Sequence, residues 1–266
     1  MTGGLSHGLR MFMKWVQNLL LISGLVLAGA TGCARPQKAD AEGGPSLDRA
    51  WQNFRLAEYD LADKDFNAIL AAAPAGSEDA VRALFGLANV WNLRRPGEDL
   101  DQARALYQRI ITEHPAHDLA PWCELALVRL QHVVPVGKDP DYTVVRKGYR
   151  DIIAKHPGHL AAKEATIYLN ATLVATLDEA LTWQAVSNLT AFIATGTKEF
   201  VGPAYSLLAV SYTTLKKPDL RLQAEIKSFE HVEIDPANPF NEFAWAYWNI
   251  ATIAEFEVGD FELARQ

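Results

Sequence analysis

Leu100 to Pro115 reads LDQARALYQRIITEHP, and Tyr142 to Pro157 reads YTVVRKGYRDIIAKHP. Tyr59 to Pro74, YDLADKDFNAILAAAP, follows the same plan. A small or branched residue, an aromatic ring, an isoleucine and a proline recur at offsets of four, three and five. The sets are Ala62, Phe66, Ile69 and Pro74; Ala103, Tyr107, Ile110 and Pro115; Val145, Tyr149, Ile152 and Pro157. The prolines stand 41 and 42 residues apart. Self-similarity at a fixed period points to an array of one unit, not to a single globular core.

Offsets of four and seven put the first three residues of each set on one face of an α-helix. The small residue admits a neighbouring helix, the ring fills the space one turn on, and the proline stops the helix because it has no N–H to donate. A partner helix lies upstream of each. Leu84, Leu87, Ala88 and Trp91 precede the second set, Trp122, Leu125 and Ala126 precede the third, and Tyr205, Leu208, Ala209 and Tyr212 repeat the offsets of three, one and three. Two helices per unit follow, and strand signals are almost absent.

These positions resemble the tetratricopeptide repeat, whose helix A carries a large residue, Leu, Gly or Ala, and an aromatic, and whose helix B carries Ala, Phe, Ala and Pro. The best match is Ala251 to Ala264, ATIAEFEVGDFELA, with Gly259, Asp260 and Phe261 in the family's short turn and Ala264 opening helix B; Ala57-Glu58-Tyr59 is the equivalent turn before Ala62. The resemblance implies an all-α, right-handed α-solenoid of antiparallel helix pairs over residues 47–266, with five to six repeats of about 40 residues. The family's usual unit has about 34 residues. The excess falls in two loops, Asn92 to Asp101 and His132 to Asp141, which hold Pro96-Gly97 and Pro135, Gly137 and Pro140. A fourth unit is inferred from Ala185, Leu189 and Phe192, with Thr197 in place of proline; a fifth departs from the pattern at Ser228 and His231. Gln266 comes just after Ala264, so the array is expected to be cut short with its last helix B barely begun.

From Met13 the chain reads MKWVQNLLLISGLVLAGATGC. Lys14 is a positive n-region, Leu19 to Ala28 an apolar segment, and Ala30, Thr31 and Gly32 small residues before Cys33. Those are the parts of a bacterial lipoprotein signal peptide over residues 1–32, with Cys33 the lipidated residue. A retained anchor would need about 20 apolar residues, and this segment is shorter; ordinary cleaved secretion is the other alternative. Residues 33–46 are polar and rich in Ala, Gly and Pro, as a flexible tether requires. Ala34 after the cysteine, where Asp would retain an enteric lipoprotein in the inner membrane, gives the bacterial outer membrane, periplasm-facing, as the expected location.

Removing Arg10 and Lys14 from 25 bases leaves 23 against 32 acids, a net charge near −9. Nucleic acid is excluded as an expected partner, since phosphate binding needs clustered Lys and Arg. With Cys33 lipidated, Cys123 stands alone and no disulfide is expected. Cys123 lies beside Trp122 in an apolar helix with no base within one turn, so an inert buried thiol is expected and not a nucleophile.

His114-Pro115-Ala116-His117 and His156-Pro157-Gly158-His159 are the one candidate metal constellation. Their separation equals the repeat, so both are expected to be turn residues, and no metal, cofactor or catalytic residue is assigned. Asn170-Ala171-Thr172 and Asn188-Leu189-Thr190 match glycosylation acceptors by chance, inside expected helices. Neither HExxH nor GxSxG occurs, and no Gly-rich phosphate loop precedes a helix. Asp60, Ser77 and Asp118 are expected at helix N-caps. The chain is therefore read as no enzyme.

In the resembling family helix A lines a concave binding surface. Its inner positions fall here on Arg82, Phe85, Asn89 and Asn92; on Cys123, Leu127 and Leu130; on Val210 and Thr213; and on Asn249, Ile253 and Phe256. The alternative for Phe85, Leu127 and Leu130 is core packing. Phe85 and Cys123 stand where the family's carboxylate clamp has Lys or Arg, so a chaperone-tail receptor is not expected. Lipoprotein and repeat together are similar to the BamD group of outer-membrane assembly lipoproteins. The resemblance implies a membrane-tethered scaffold for protein or peptide partners in envelope assembly or maintenance. A regulator docking cell-wall enzymes and a noncatalytic N-terminal region of a larger enzyme are the alternative readings.

Overall fold

A computed structural model of the chain describes residues 44–94, 96–135, 138–232 and 242–266. The leader, Cys33 and most of the tether lie outside these residues. Among the described residues there are twelve α-helices and no strand. The chain divides at Pro140 into two compact units, so the third expected repeat has its helices in different units.

The first unit holds α1 (Leu47–Arg55), α2 (Tyr59–Ala72), α3 (Glu78–Leu93), α4 (Leu100–Glu113) and α5 (Ala120–His132). Each helix packs on the next, and α1 also touches α3. The second holds α6 (Tyr142–Lys155), α7 (Leu160–Val174), α8 (Glu179–Ala194), α9 (Val201–Thr214), α10 (Pro218–Phe229), α11 (Glu242–Ile253), a π-helical turn (Ala254–Val258) and α12 (Phe261–Arg265). Neighbours again pack in order, and α7 also touches α9. None of these helices is long and apolar enough to cross a membrane.

The recurring residues are the core. Ala62, Phe66, Ala103, Tyr107, Ile110 and Tyr149 have no accessible surface, and Ile69, Val145 and Ile152 are buried beside them. Each set ends as its proline requires: α2, α4 and α6 stop at Ala72, Glu113 and Lys155, one cap residue precedes the proline, and the cap N–H closes on Ile69, Ile110 or Ile152. A helix in the middle of such a stack must bury two faces. In α3, Ala83, Leu87 and Val90 face the cluster of α1 and α2, while Val81, Leu84 and Ala88 face that of α4 and α5.

One turn geometry recurs between paired helices. Ala57, Leu177, Lys216 and Gly259 all have positive φ, at 60°, 58°, 55° and 83°, and each stands two residues before the first residue of a helix. Ala57-Glu58-Tyr59 and Gly259-Asp260-Phe261 are therefore equivalent turns, as the spacing predicts.

Three expectations need correction. Ala62, Ala103 and Val145 are the fourth residues of their helices, whereas in α8 that place belongs to Thr182, which is fully buried. The stripe of α8 thus begins one turn before Ala185, and Phe192 is only partly buried. A threonine can stand there because its hydroxyl donates to the Asp178 carbonyl at 2.7 Å. α8 ends through Gly196 at φ 74°, not at Thr197.

In the fifth unit, where the pattern is expected to fail at Ser228, the Ser228 hydroxyl lies 2.6 Å from that of Ser206 and donates to the Gly202 carbonyl at 3.3 Å. A Cβ on Gly202 would approach His231 Cβ to 3.2 Å and the Ser228 carbonyl to 3.8 Å, so the start of α9 lies close to the end of α10 and the turn after it. His231 lies beyond α10 and stacks on Tyr205 at 5.9 Å.

Ser77 caps α3 as expected, accepting from Ala80 N. Asp60 lies inside the first turn of α2 and accepts from Arg94 at 2.6 Å. The N-cap of α5 is Leu119 and not Asp118, and the His117 ring accepts from the Leu119 N–H.

Candidate partner-binding surface

In the first unit Arg82, Phe85, Asn89 and Asn92 line one side of α3, as their spacing requires. The Phe85 ring sits 6.2 Å from Trp51 and 6.1 Å from Tyr107. The Asn89 amide donates to the Phe85 carbonyl at 2.7 Å and accepts from the Tyr107 hydroxyl at 3.1 Å, while Asn92 donates to that hydroxyl at 3.4 Å. The amides thus satisfy the one polar atom of a buried ring, and that burial pushes the Tyr107 phenol up from its ordinary value. Phe85, Leu127 and Leu130 pack, half-buried, against the same cluster of α3, α4 and α5. Core packing accounts for most of what these three do.

Arg82 is exposed and donates to Glu78 at 2.6 Å. The other Glu78 oxygen lies 2.9 Å from His117 Nε2. Since His117 Nδ1 accepts from Leu119 N at 3.0 Å, the ring proton belongs on Nε2 and points at the carboxylate. Arg82 first, then His117, hold Glu78 below the usual glutamate value.

His159 is built the same way, its Nδ1 accepting from Ala161 N at 3.0 Å as the N-cap of α7, while His114 and His156 are the C-caps of α4 and α6. The two HPxH sequences are turn devices that end one helix and start the next. No group of three or more potential ligands that could hold a metal occurs among the described residues.

Two residues expected at the concave face are core instead. Cys123 has no accessible surface, and burial pushes its thiol far above the ordinary value, which leaves it unreactive. Ile253 is the centre of the small cluster that joins α10 to the last helices. Val210 packs, half-buried, on the central cluster of the second unit. The Thr213 hydroxyl returns to its own helix at the Ala209 carbonyl. Asn249 hydrogen-bonds Glu225 across the α10–α11 contact. Phe256 is 76% exposed.

Asn170 and Asn188, read as chance glycosylation acceptors, are hydrogen-bonded to each other at 2.9 Å between α7 and α8. Asn170 is buried, so the pair is a helix–helix bridge.

In the second unit an open groove of about 500 Å³ lies over α9. Tyr205, Leu208 and Tyr212 of α9, Ile193 of α8, and Leu220 and Lys227 of α10 are among the residues that line it. Lys227 is held by Glu230 at 2.8 Å, so the rim carries an internally neutralised pair.

No family model matches this chain, and no curated protein matches it. The groove and the chemistry of its lining are therefore the basis for a functional reading.

The spacing of Tyr205, Leu208 and Tyr212 marks them as scaffold, yet α9 turns these side chains toward a gap between its neighbours. Missed altogether were Trp245, Tyr247 and Trp248, which are 59%, 58% and 57% exposed. Their signal is compositional: three large rings in four residues point in more directions than one buried helix face can accept.

Proposed function

We propose that this chain is a membrane-tethered scaffold that binds a protein or peptide partner in the groove over α9. The observation that carries this reading is the groove itself. It is an open, mostly apolar trough about 500 Å³ in volume, lined by two tyrosines that combine large apolar area with a polar tip. Stacked helix pairs, the α1–α3 and α7–α9 contacts and the shared left-handed turn support a tetratricopeptide-like, right-handed solenoid with units of about 40 residues.

Lipidation of Cys33, an outer-membrane, periplasm-facing location and a role in envelope assembly belong to the same proposal, through the sequence of the leader. In this reading the protein carries no catalytic chemistry. Its partners are proteins, and its membrane contact is the acyl group.

The reading is tested by affinity purification from envelope extracts with the chain and with its Leu220→Lys variant. Leu220 is 37% exposed, so the charge enters the groove without disturbing the core. Recovery of envelope-assembly proteins that disappears with Leu220→Lys is the expected result. Recovery of wall hydrolases instead makes the chain a regulator of cell-wall enzymes, and identical recovery with both forms removes the groove from the proposal. Cys33→Ala is expected to abolish incorporation of labelled fatty acid.

A further inference from the structure

Trp245 and Phe256 stand eleven residues apart on α11 and its π-helical extension, about three turns of helix, with Trp248 three residues after Trp245 on the same side. All three are more than half exposed, as is Phe261 just beyond. Trp245 and Trp248 stack at 4.9 Å, forming one apolar plate and not two separate rings. The opposite side of the same helix is committed inward: Ile253 and Ala254 are buried against Leu222, with Ile250 packed beside them. The aromatic stripe is thus a second apolar face on a helix whose first face is already occupied, and it is regular enough to receive another helix.

Charge selects the occupant. Glu255, Glu257, Asp260 and Glu262 border the stripe, and Arg265 is the single base between Glu255 and Gln266. Arg221 neutralises Glu257 at 2.6 Å and Arg265 lies 3.3 Å from Glu262, while the Asp260 side chain accepts from Leu263 N as the cap of α12. A second copy would bring like charge against like, and an anionic lipid surface would be repelled in the same way. A helix with basic flanks gains twice, since Lys and Arg pair with the carboxylates and also lie favourably over exposed indole faces.

We propose that this stripe is a docking site for an amphipathic helix of a protein partner, with an apolar face bordered by Lys and Arg. The proposal rests on the scaffold reading only for the occupant being a protein; it uses a surface separate from the groove over α9.

The test uses the full-length chain in phosphatidylcholine nanodiscs, with binding read by anisotropy of two labelled helical peptides. Both carry leucines at i, i+3, i+4 and i+7; one has lysine flanks and the other glutamate flanks, and empty nanodiscs give the background. The expected result is saturable binding of the lysine-flanked peptide, at least about tenfold tighter than that of the other. Trp248→Ala and Glu255→Lys are each expected to weaken it about tenfold. Both side chains are exposed, so circular dichroism of the variants should match that of the parent.

Equal affinity for the two peptides, no binding, or indifference to Trp248→Ala would each overturn the proposal. So would indole quenching by brominated lipid that is lost in Trp248→Ala, which would put the stripe on the bilayer. A dimer in sedimentation that Trp248→Ala dissociates would overturn it in favour of a second copy. Leu220→Lys is expected to leave peptide binding unchanged, so failure of the groove and failure of the stripe are read separately.

Discussion

A methyl group added to Gly86 would stand 2.3 Å from Cζ of Phe66, a ring with no accessible surface and no room to retreat. Gly86→Ala is expected to cost about 1–3 kcal/mol through overpacking, seen as a lower urea midpoint with unchanged slope. Asp65 is the other residue whose role is local and strong. Buried on α2, it accepts from Arg49 Nε at 2.9 Å and Asn53 Nδ2 at 3.0 Å, both on α1. Asp65→Ala strands those donors and is expected to cost about 1–3 kcal/mol, with hydrogen exchange quickened first in α1. The ring of Phe66 was legible as core from its spacing. The need for Gly86 opposite it was not, because only the crossing of α2 and α3 brings the two together.

Turns and helix contacts make their own predictions. Leu177 holds a left-handed φ of 58° where its equivalent Gly259 does so without a side-chain penalty, and its side chain is 50% exposed. Leu177→Gly is therefore expected to stabilise the chain by about 0.5–1 kcal/mol, and Gly259→Ala to destabilise it by a similar amount, both measured by urea unfolding.

Two carboxylates give opposite pH dependences. The Lys163 ammonium, with the Glu199 backbone and Thr197, lowers Glu199 to about 2 from the ordinary 4.5. The unfolded chain takes up the proton first on acidification, so this stabilisation is present above the ordinary value and is lost as pH falls toward about 2. Burial raises Glu225, opposed by Arg221 and Asn249. Here the folded chain keeps the proton longer, so stability is greatest below the ordinary glutamate value and declines as pH rises through the folded pKa. Unfolding midpoints from pH 2 to 7 should accordingly fall less steeply at acid pH in Glu199→Gln. In Glu225→Gln they should rise, relative to the parent, toward pH 7.

At the scale of the molecule, the division at Pro140 predicts how the chain comes apart. Val133, Pro135, Lys138 and Asp139 are exposed between α5 and α6. Brief proteolysis is expected to cut within 133–139 and leave two fragments, each with the helical circular dichroism of an intact unit. A smear of small peptides would show that neither unit holds together alone. The loop of residues 132–141, read as an insertion within one repeat, also holds the division between the two units. Local composition looks alike in both cases, because proline and glycine mark turns whether or not contacts cross them.

Residue order alone determined that this chain is helical, that the helices come in consecutive pairs, and which side of α2, α4 and α6 is buried. Those properties follow from periodicity and from proline, whose effects act within one or two turns of chain. It also determined that HPxH is a turn element, since its spacing equals that of the repeat. Only the tertiary structure decided which helix A residues remain available. Cys123 and Ile253 went into the core while Phe256 and the indoles of Trp245 and Trp248 stayed outside. A middle helix such as α3 buries two faces, and which third face is left open depends on the crossing of both neighbours. The groove over α9 and the aromatic stripe of α11 arise in the same way, from the space between helices and not from a pattern along any one of them.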